Sequence, residues 1–176
     1  MVVSLVSRVL VFSGVSMLFT GFYASKAGRK SQGIGPRSQR WESLRQLLSE
    51  QLAVIHEGFG PRKITEEEFV AEVEKHPSEV EAELRRKGFT RNPLSRVKTL
   101  NGSSEHGSWA RRERPLSKRQ LHIMLFSSEK GTAIYAHEEY SSMHPIYGYE
   151  HFHGIDQRME KGVKAAKEVL ENISLN

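Results

Sequence analysis

The chain contains no cysteine. Disulfide frameworks, thiolate nucleophiles and cysteine-bearing zinc sites are excluded together, so any metal centre must be assembled from histidine and carboxylate. The absence says little about compartment, because a protein without thiols tolerates any redox poise. Also missing are a glycine-rich phosphate loop, a dinucleotide fingerprint and a nucleophile-elbow pentapeptide. Nucleotide-dependent and serine-nucleophile chemistry therefore lack support, and no cofactor is expected. Long apolar runs are absent too, with one exception near the amino terminus.

That exception is VLVFSGVSMLFTGFYA, residues 9–24. It is slightly short of the roughly 20 residues that span a bilayer core, but extends to Val2 if Arg8 snorkels toward a headgroup. Lys26, Arg29 and Lys30 follow it and outnumber Arg8, which by the positive-inside rule leaves the rest of the chain in the cytoplasm. The sequence thus divides into an apolar segment over 1–25, a basic Gly/Ser-rich linker over 26–37 and a single domain over 38–176. The expected partner of the first segment is a membrane. Two alternatives remain open: secretion after cleavage at SKA before Gly28, or a cytoplasmic protein whose leading residues have no role.

Charge of one sign is scarce once it is located. The net charge is +5, yet residues 26–45 alone carry six basic side chains against Glu42, and residues 46–176 carry 19 basic against 20 acidic. A nearly neutral domain argues against nucleic acid as the partner. The remaining basic cluster is RRERPLSKR over 111–119, with Arg111, Arg112 and Arg114 as candidate contact residues beside Lys118 and Arg119.

Periodicity predicts three consecutive helices. Trp41, Leu44, Leu48, Leu52, Ile55 and Phe59 form one stripe. Thr65 with Glu68 forms a capping box flanked by Ile64 and Phe69, opening a helix that ends before Pro77. Ser78 with Glu81 opens a third, closed by Gly88 and by Phe89 touching Leu84. A three- to four-stranded antiparallel sheet is expected next: a hairpin at Asn101-Gly102 with Thr99 opposite Ser104, then LHIMLF (121–126) paired with TAIYAHEEY (132–140). An amphipathic helix capped by Asp156, with Met159, Val163, Ala166, Leu170 and Ile173 as its stripe, completes an α+β domain. Three helices followed by a β-ribbon is also the order of a winged helix. Glu79, Glu81 and Glu83 on the third helix oppose a phosphate backbone, however.

The densest chemistry lies in HEEYSSMHPIYGYEHFHGID, residues 137–156, which holds four of the chain's eight histidines. Register decides which of them meet. Glu and Lys are poor at positive φ, so a three-residue Glu129-Lys130-Gly131 turn is preferred, and it sets His122 opposite Glu138 while His137 turns to the other face. His122 and Glu138 are then the acid/base candidates, and His151 and His153 the metal candidates. Tyr140, Tyr147, Tyr149 and Phe152 suggest a recognition surface for a protein or small molecule. A His-Glu pair without a nucleophile or electrophile makes no mechanism. The sequence therefore points to a membrane-tethered α+β domain that acts by binding, with a His/Glu metal-dependent or acid/base enzyme as the alternative and nucleic-acid binding through 111–119 as the third.

Overall fold

A computed structural model describes residues 49, 51, 53, 60–92 and 96–171, the side chains of Tyr149 and Phe152 excepted. The apolar segment over 1–25, the linker over 26–37, Ile173 and most of the first expected helix lie outside the described residues; within that helix Ser49, Gln51 and Ala53 are helical. No helix among the described residues is long and apolar enough to cross a membrane.

The expectation of three helices followed by a small sheet is overturned. In chain order the elements are β1 (Arg62–Lys63), a 3-10 turn (Glu66–Glu68), β2 (Phe69–Val73), α1 (Pro77–Arg86), β3 (Thr90–Arg91), β4 (Lys98–Leu100) and β5 (Ser103–Ser104). They are followed by β6 (Gly107–Arg111), β7 (Arg119–Ser128), β8 (Gly131–Tyr140), the short α2 (Gly148–Phe152) and α3 (Met159–Leu170). Five strands form an antiparallel sheet in the order β2-β8-β7-β6-β3, and β1-β4-β5 form a second, three-stranded sheet. Strands β6, β7 and β8 run as a meander, while α1 crosses one face and links the two edge strands.

The second expected helix fails after a single turn. Glu68 does accept the Thr65 backbone N–H at 2.9 Å, as a capping box requires. The chain then straightens into β2, where Phe69 to Val73 pair with Tyr135 to Thr132 of β8. Capping fixes only the first turn. Without β2, β8 would be an unpaired edge, and this tertiary pairing outweighs a weak helical preference in a segment containing Val70 and Val73. The third expected helix exists but begins earlier, with His76 as its cap, Pro77 in its first turn and Glu79 accepting the His76 N–H at 2.8 Å. It ends as expected, with Gly88 at φ 79° and the Phe89 N–H donating to Leu84 O at 2.9 Å. Asp156 does not cap the last helix. That position belongs to Arg158, whose backbone pairs with Glu138 instead.

Both faces of the main sheet are covered. On one side α1 and α3 pack Val80, Leu84, Ala166, Val169 and Leu170 against Trp109, Leu121, Ile123, Leu125, Ile134 and Ala136. Burying each of the larger aliphatic side chains contributes about 1.5–3 kcal/mol. Gly162 brings α3 onto β8 so closely that a Cβ there would overlap the His137 and Glu138 backbone. On the other side Ile64 and Leu100, from the small sheet and its margin, lie over Met124, Phe126 and Tyr135. The Asn101-Gly102 hairpin forms in the expected register, with Thr99 opposite Ser104 and both turn residues at positive φ.

Candidate metal centre

The β7–β8 hairpin closes through a two-residue turn, with Ser128 opposite Gly131. The positive φ falls on Gly131, at 140°, and neither Glu129 nor Lys130 adopts one. The objection to this register was that Glu and Lys would have to take positive φ, and the glycine removes it. A Cβ at Gly131 would also collide with the backbone of Val73 and Lys75, so the turn is pressed against the end of β2. In the resulting register His122 faces His137, and Glu138 faces Leu121.

His122 and Glu138, paired by the other register, are therefore on opposite faces. Glu138 lies under α3, with Arg158 Nη1 and Lys161 Nζ each 3.3 Å from its carboxylate and Arg119 Nε at 3.7 Å. It is a half-buried ion-pair hub whose partners are cations. His122, His137 and Glu139 instead share the face turned from the helices, because positions 120, 122, 137 and 139 alternate with Leu121, Ile123, Ala136 and Glu138, which face the helices.

These three side chains converge. His122 Nδ1 is 3.2 Å from His137 Nε2 and 2.9 Å from Glu139 Oε1, and His137 Nε2 is 3.1 Å from Glu139 Oε2. The second nitrogen of each ring has its own partner: Ser108 Oγ lies 2.6 Å from His122 Nε2, and Glu68 Oε1 lies 2.6 Å from His137 Nδ1. Gln120 Nε2 donates to Glu139 Oε1 at 2.9 Å. His122 and His137 are fully buried and Glu139 is 1% exposed, so solvent contributes little to their solvation.

Protons can close this network. Burial acts to lower the His137 pKa, but Glu139 and Glu68 outweigh it and hold the imidazole above its usual range. Burial pushes His122 down to about 3, despite Glu139 beside it. Burial would raise the carboxyl of Glu139, yet His151, His122 and His137 drive it well below the normal value. Glu68 is lowered to about 2: burial opposes the shift, and the hydrogen bond and charge of His137 overcome it. These shifts favour a proton on His137, between two carboxylates, and a neutral His122. Neutral His122 donates from Nδ1 to Glu139 and accepts from Ser108 at Nε2.

The same atoms suit a divalent ion. Four nitrogen or oxygen ligands about 2.0–2.1 Å from a tetrahedral zinc lie about 3.3 Å apart, close to the separations between these atoms. The His137–Glu68 contact is the carboxylate–histidine support that metal-bound imidazoles commonly have. Ser108, a donor or an acceptor as needed, serves either tautomer of His122. A +2 ion would balance Glu139 and Glu68 in a buried site. Gln157 Nε2 lies 3.3 Å from His137 Nε2 and 3.5 Å from Glu139 Oε2. Turning that amide end for end would present an oxygen at a fourth corner.

Of the other candidates, His151 reaches the cluster's edge: it is buried on α2, with Nδ1 3.0 Å from Tyr140 O and 3.2 Å from Glu139 Oε1. His153 lies in the turn beyond α2 and is not among the converging ligands. Tyr140 and Tyr147 stack on each other with centroids 4.8 Å apart, and Lys118 Nζ lies 4.4 Å above the Tyr147 ring. The side chains of Tyr149 and Phe152 lie outside the described residues. Arg112 joins the turns, donating to Ser141 Oγ and Ser142 Oγ, each at 2.8 Å. Arg111 covers the Phe89 ring at 5.0 Å, and the Arg114 backbone N–H closes its own turn on Ser117 Oγ.

Sequence reasoning missed His137 and Glu139 as partners of His122, and saw Glu68 only as a cap. One signal was available: Gln120, His122, His137 and Glu139 are polar residues at alternate positions of two strands that are buried on both faces. No protein-family model, curated protein sequence or solved structure matches this chain.

Proposed function

We propose that the domain is a metal-binding protein, holding one divalent transition ion through His122, His137 and Glu139. The observation that carries this reading is the convergence of His122 Nδ1, His137 Nε2 and the two Glu139 carboxylate oxygens, in contacts of 2.9–3.2 Å, with each imidazole steadied on its far side at 2.6 Å. The ligand set favours zinc or a neighbouring first-row ion over magnesium or calcium, which prefer all-oxygen shells. A site this deeply buried, with an amide side chain at its remaining corner, suits a structural ion better than a catalytic one. An ion that binds only the native state at hundredfold excess over its Kd contributes about 2.7 kcal/mol of stability.

The test is titration of chelator-treated full-length protein with Zn(II) or Co(II). One equivalent should bind, the Co(II) form should show the visible bands of a tetrahedral nitrogen/oxygen site, and the Tm should rise. His137→Gln should lose all three responses. An unchanged Tm with sub-stoichiometric binding would leave only the protonated network.

The apolar 1–25 segment and the cations after it support a second proposal, that the domain is held at a membrane from its cytoplasmic side. If cell fractionation finds the full chain and a form beginning at Ser38 equally soluble, the tether is lost.

A further inference from the structure

Among the described residues five large apolar side chains are exposed: Phe69, Leu116, Met143, Ile146 and Ile155. Four of them gather at one end of the main sheet. Leu116 tips the β6–β7 turn, Met143 and Ile146 lie in the connection from β8 to α2, and Ile155 precedes α3. Three contacts hold these turns side by side. The Ser141 N–H donates to Lys118 O at 2.9 Å, Arg112 bridges from the first turn to Ser141 and Ser142, and Arg119 Nη1 donates to Asp156 O at 3.0 Å beside Ile155. Leu116 and Ile146 are 67% and 70% exposed, and it is the grouping of the four, rather than any one of them, that calls for an explanation.

The charge around these tips is positive. Arg111, Arg114 and Lys118 are exposed, and Glu113 is the one acid in 111–119. The two aromatic side chains described there, Tyr140 and Tyr147, do not offer a stacking platform. Tyr140 and Tyr147 cover each other's faces, with Lys118 over Tyr147 and Arg119 over Tyr140 at 4.5 Å. Unpaired nucleobases are captured on free aromatic faces, and protein interfaces draw on exposed aromatics at their centre. Protruding aliphatic tips ringed by cations, with Tyr140 and Tyr147 stacked on each other, match the boundary between headgroups and acyl chains of an anionic bilayer.

We propose that this end of the sheet is a membrane-contacting surface, with Leu116 and Ile146 entering the interface and Arg114 and Lys118 meeting acidic headgroups. It is independent of the metal centre, and it makes the domain lie on the bilayer end-on, its β7–β8 hairpin standing away from the surface. Lys130, at the other end of those ten-residue strands, is then roughly 30 Å from the lipid.

The absence of cysteine makes a direct test available, since one introduced thiol is the only one in the chain. Leu116→Cys, Ile146→Cys and Lys130→Cys, each in the full-length protein, are labelled with an environment-sensitive fluorophore. They are mixed with phosphatidylcholine vesicles, with or without about one third phosphatidylglycerol. The anionic vesicles should shift the emission at 116 and 146 to the blue with a severalfold gain, reversed by high salt, and leave 130 unchanged. Because all three proteins keep the amino-terminal segment, its insertion alone cannot produce that difference. Arg114→Glu with Lys118→Glu should weaken the 116 response about fivefold or more per charge. No shift at 116 and 146, an equal shift at 130, the same shift without acidic lipid, or a shift given by an oligonucleotide instead would each overturn the proposal.

Discussion

Both faces of the β7–β8 hairpin are buried, and over the half nearest Tyr140 they are built oppositely. Toward the helices lie Leu121, Ile123, Leu125, Ile134 and Ala136; away from them, on the same strands, lie Gln120, His122, His137 and Glu139. The first set stabilises the fold by leaving water. The second loses its hydration, which is offset by 2.6–3.2 Å contacts among its own members and with Glu68, Ser108 and His151. Burial therefore carries two meanings within one pair of strands: apolar positions that drive folding, and a polar cluster that folding must accommodate.

Single substitutions on the two faces separate these meanings. Glu139→Ala leaves buried donors of His122, His137 and Gln120 without their shared acceptor, and should cost roughly 3–5 kcal/mol. It should also abolish any rise in Tm on adding Zn(II). Leu125→Ala should cost about 2–5 kcal/mol through the cavity it leaves, yet keep the full Zn(II) response. Denaturant midpoints measured with and without metal check both, and a metal response that follows stability rather than the face would erase the distinction.

Lys98 sharpens it through pH. This lysine is buried beside Glu105, and burial lowers its pKa to about 8, against the pull of Glu139 and Glu105. An unfolded lysine holds its proton to about pH 10.4, so between these values the unfolded chain binds more protons than the native one. Stability attributable to Lys98 must then rise with pH across that window, by up to about 3 kcal/mol. Comparing wild type with Lys98→Met at pH values near each end isolates the contribution, and parallel profiles would show that Lys98 does not change its pKa on folding. The smallest effect belongs to Ser108→Ala. It should cost about 1 kcal/mol and weaken metal affinity about tenfold, a change seen by competitive titration against a chelator.

Legibility in the sequence followed the range of the interactions. The Asn101-Gly102 hairpin and the Gly88 helix end rest on a few adjacent residues, and both are present. β2 was unreadable because Thr65 and Glu68 announce a helix locally, while the strand exists only through its pairing with β8, more than sixty residues away. The centre turned on one residue of register. Assigning Gly131 to the turn rather than to the first strand position moved His137 and Glu139 to the wrong side. Glu68 could not be placed at all from sequence, since its approach to His137 depends on β2 lying beside β8.

Gly162 joins the two faces. Its missing side chain lets α3 rest on the β8 backbone at the residue from which the His137 imidazole hangs on the far side. A single peptide layer thus serves as floor for the helix and ceiling for the charged cluster. The anchorage of that imidazole is set from behind, by a hydrogen atom where every other amino acid would place a carbon.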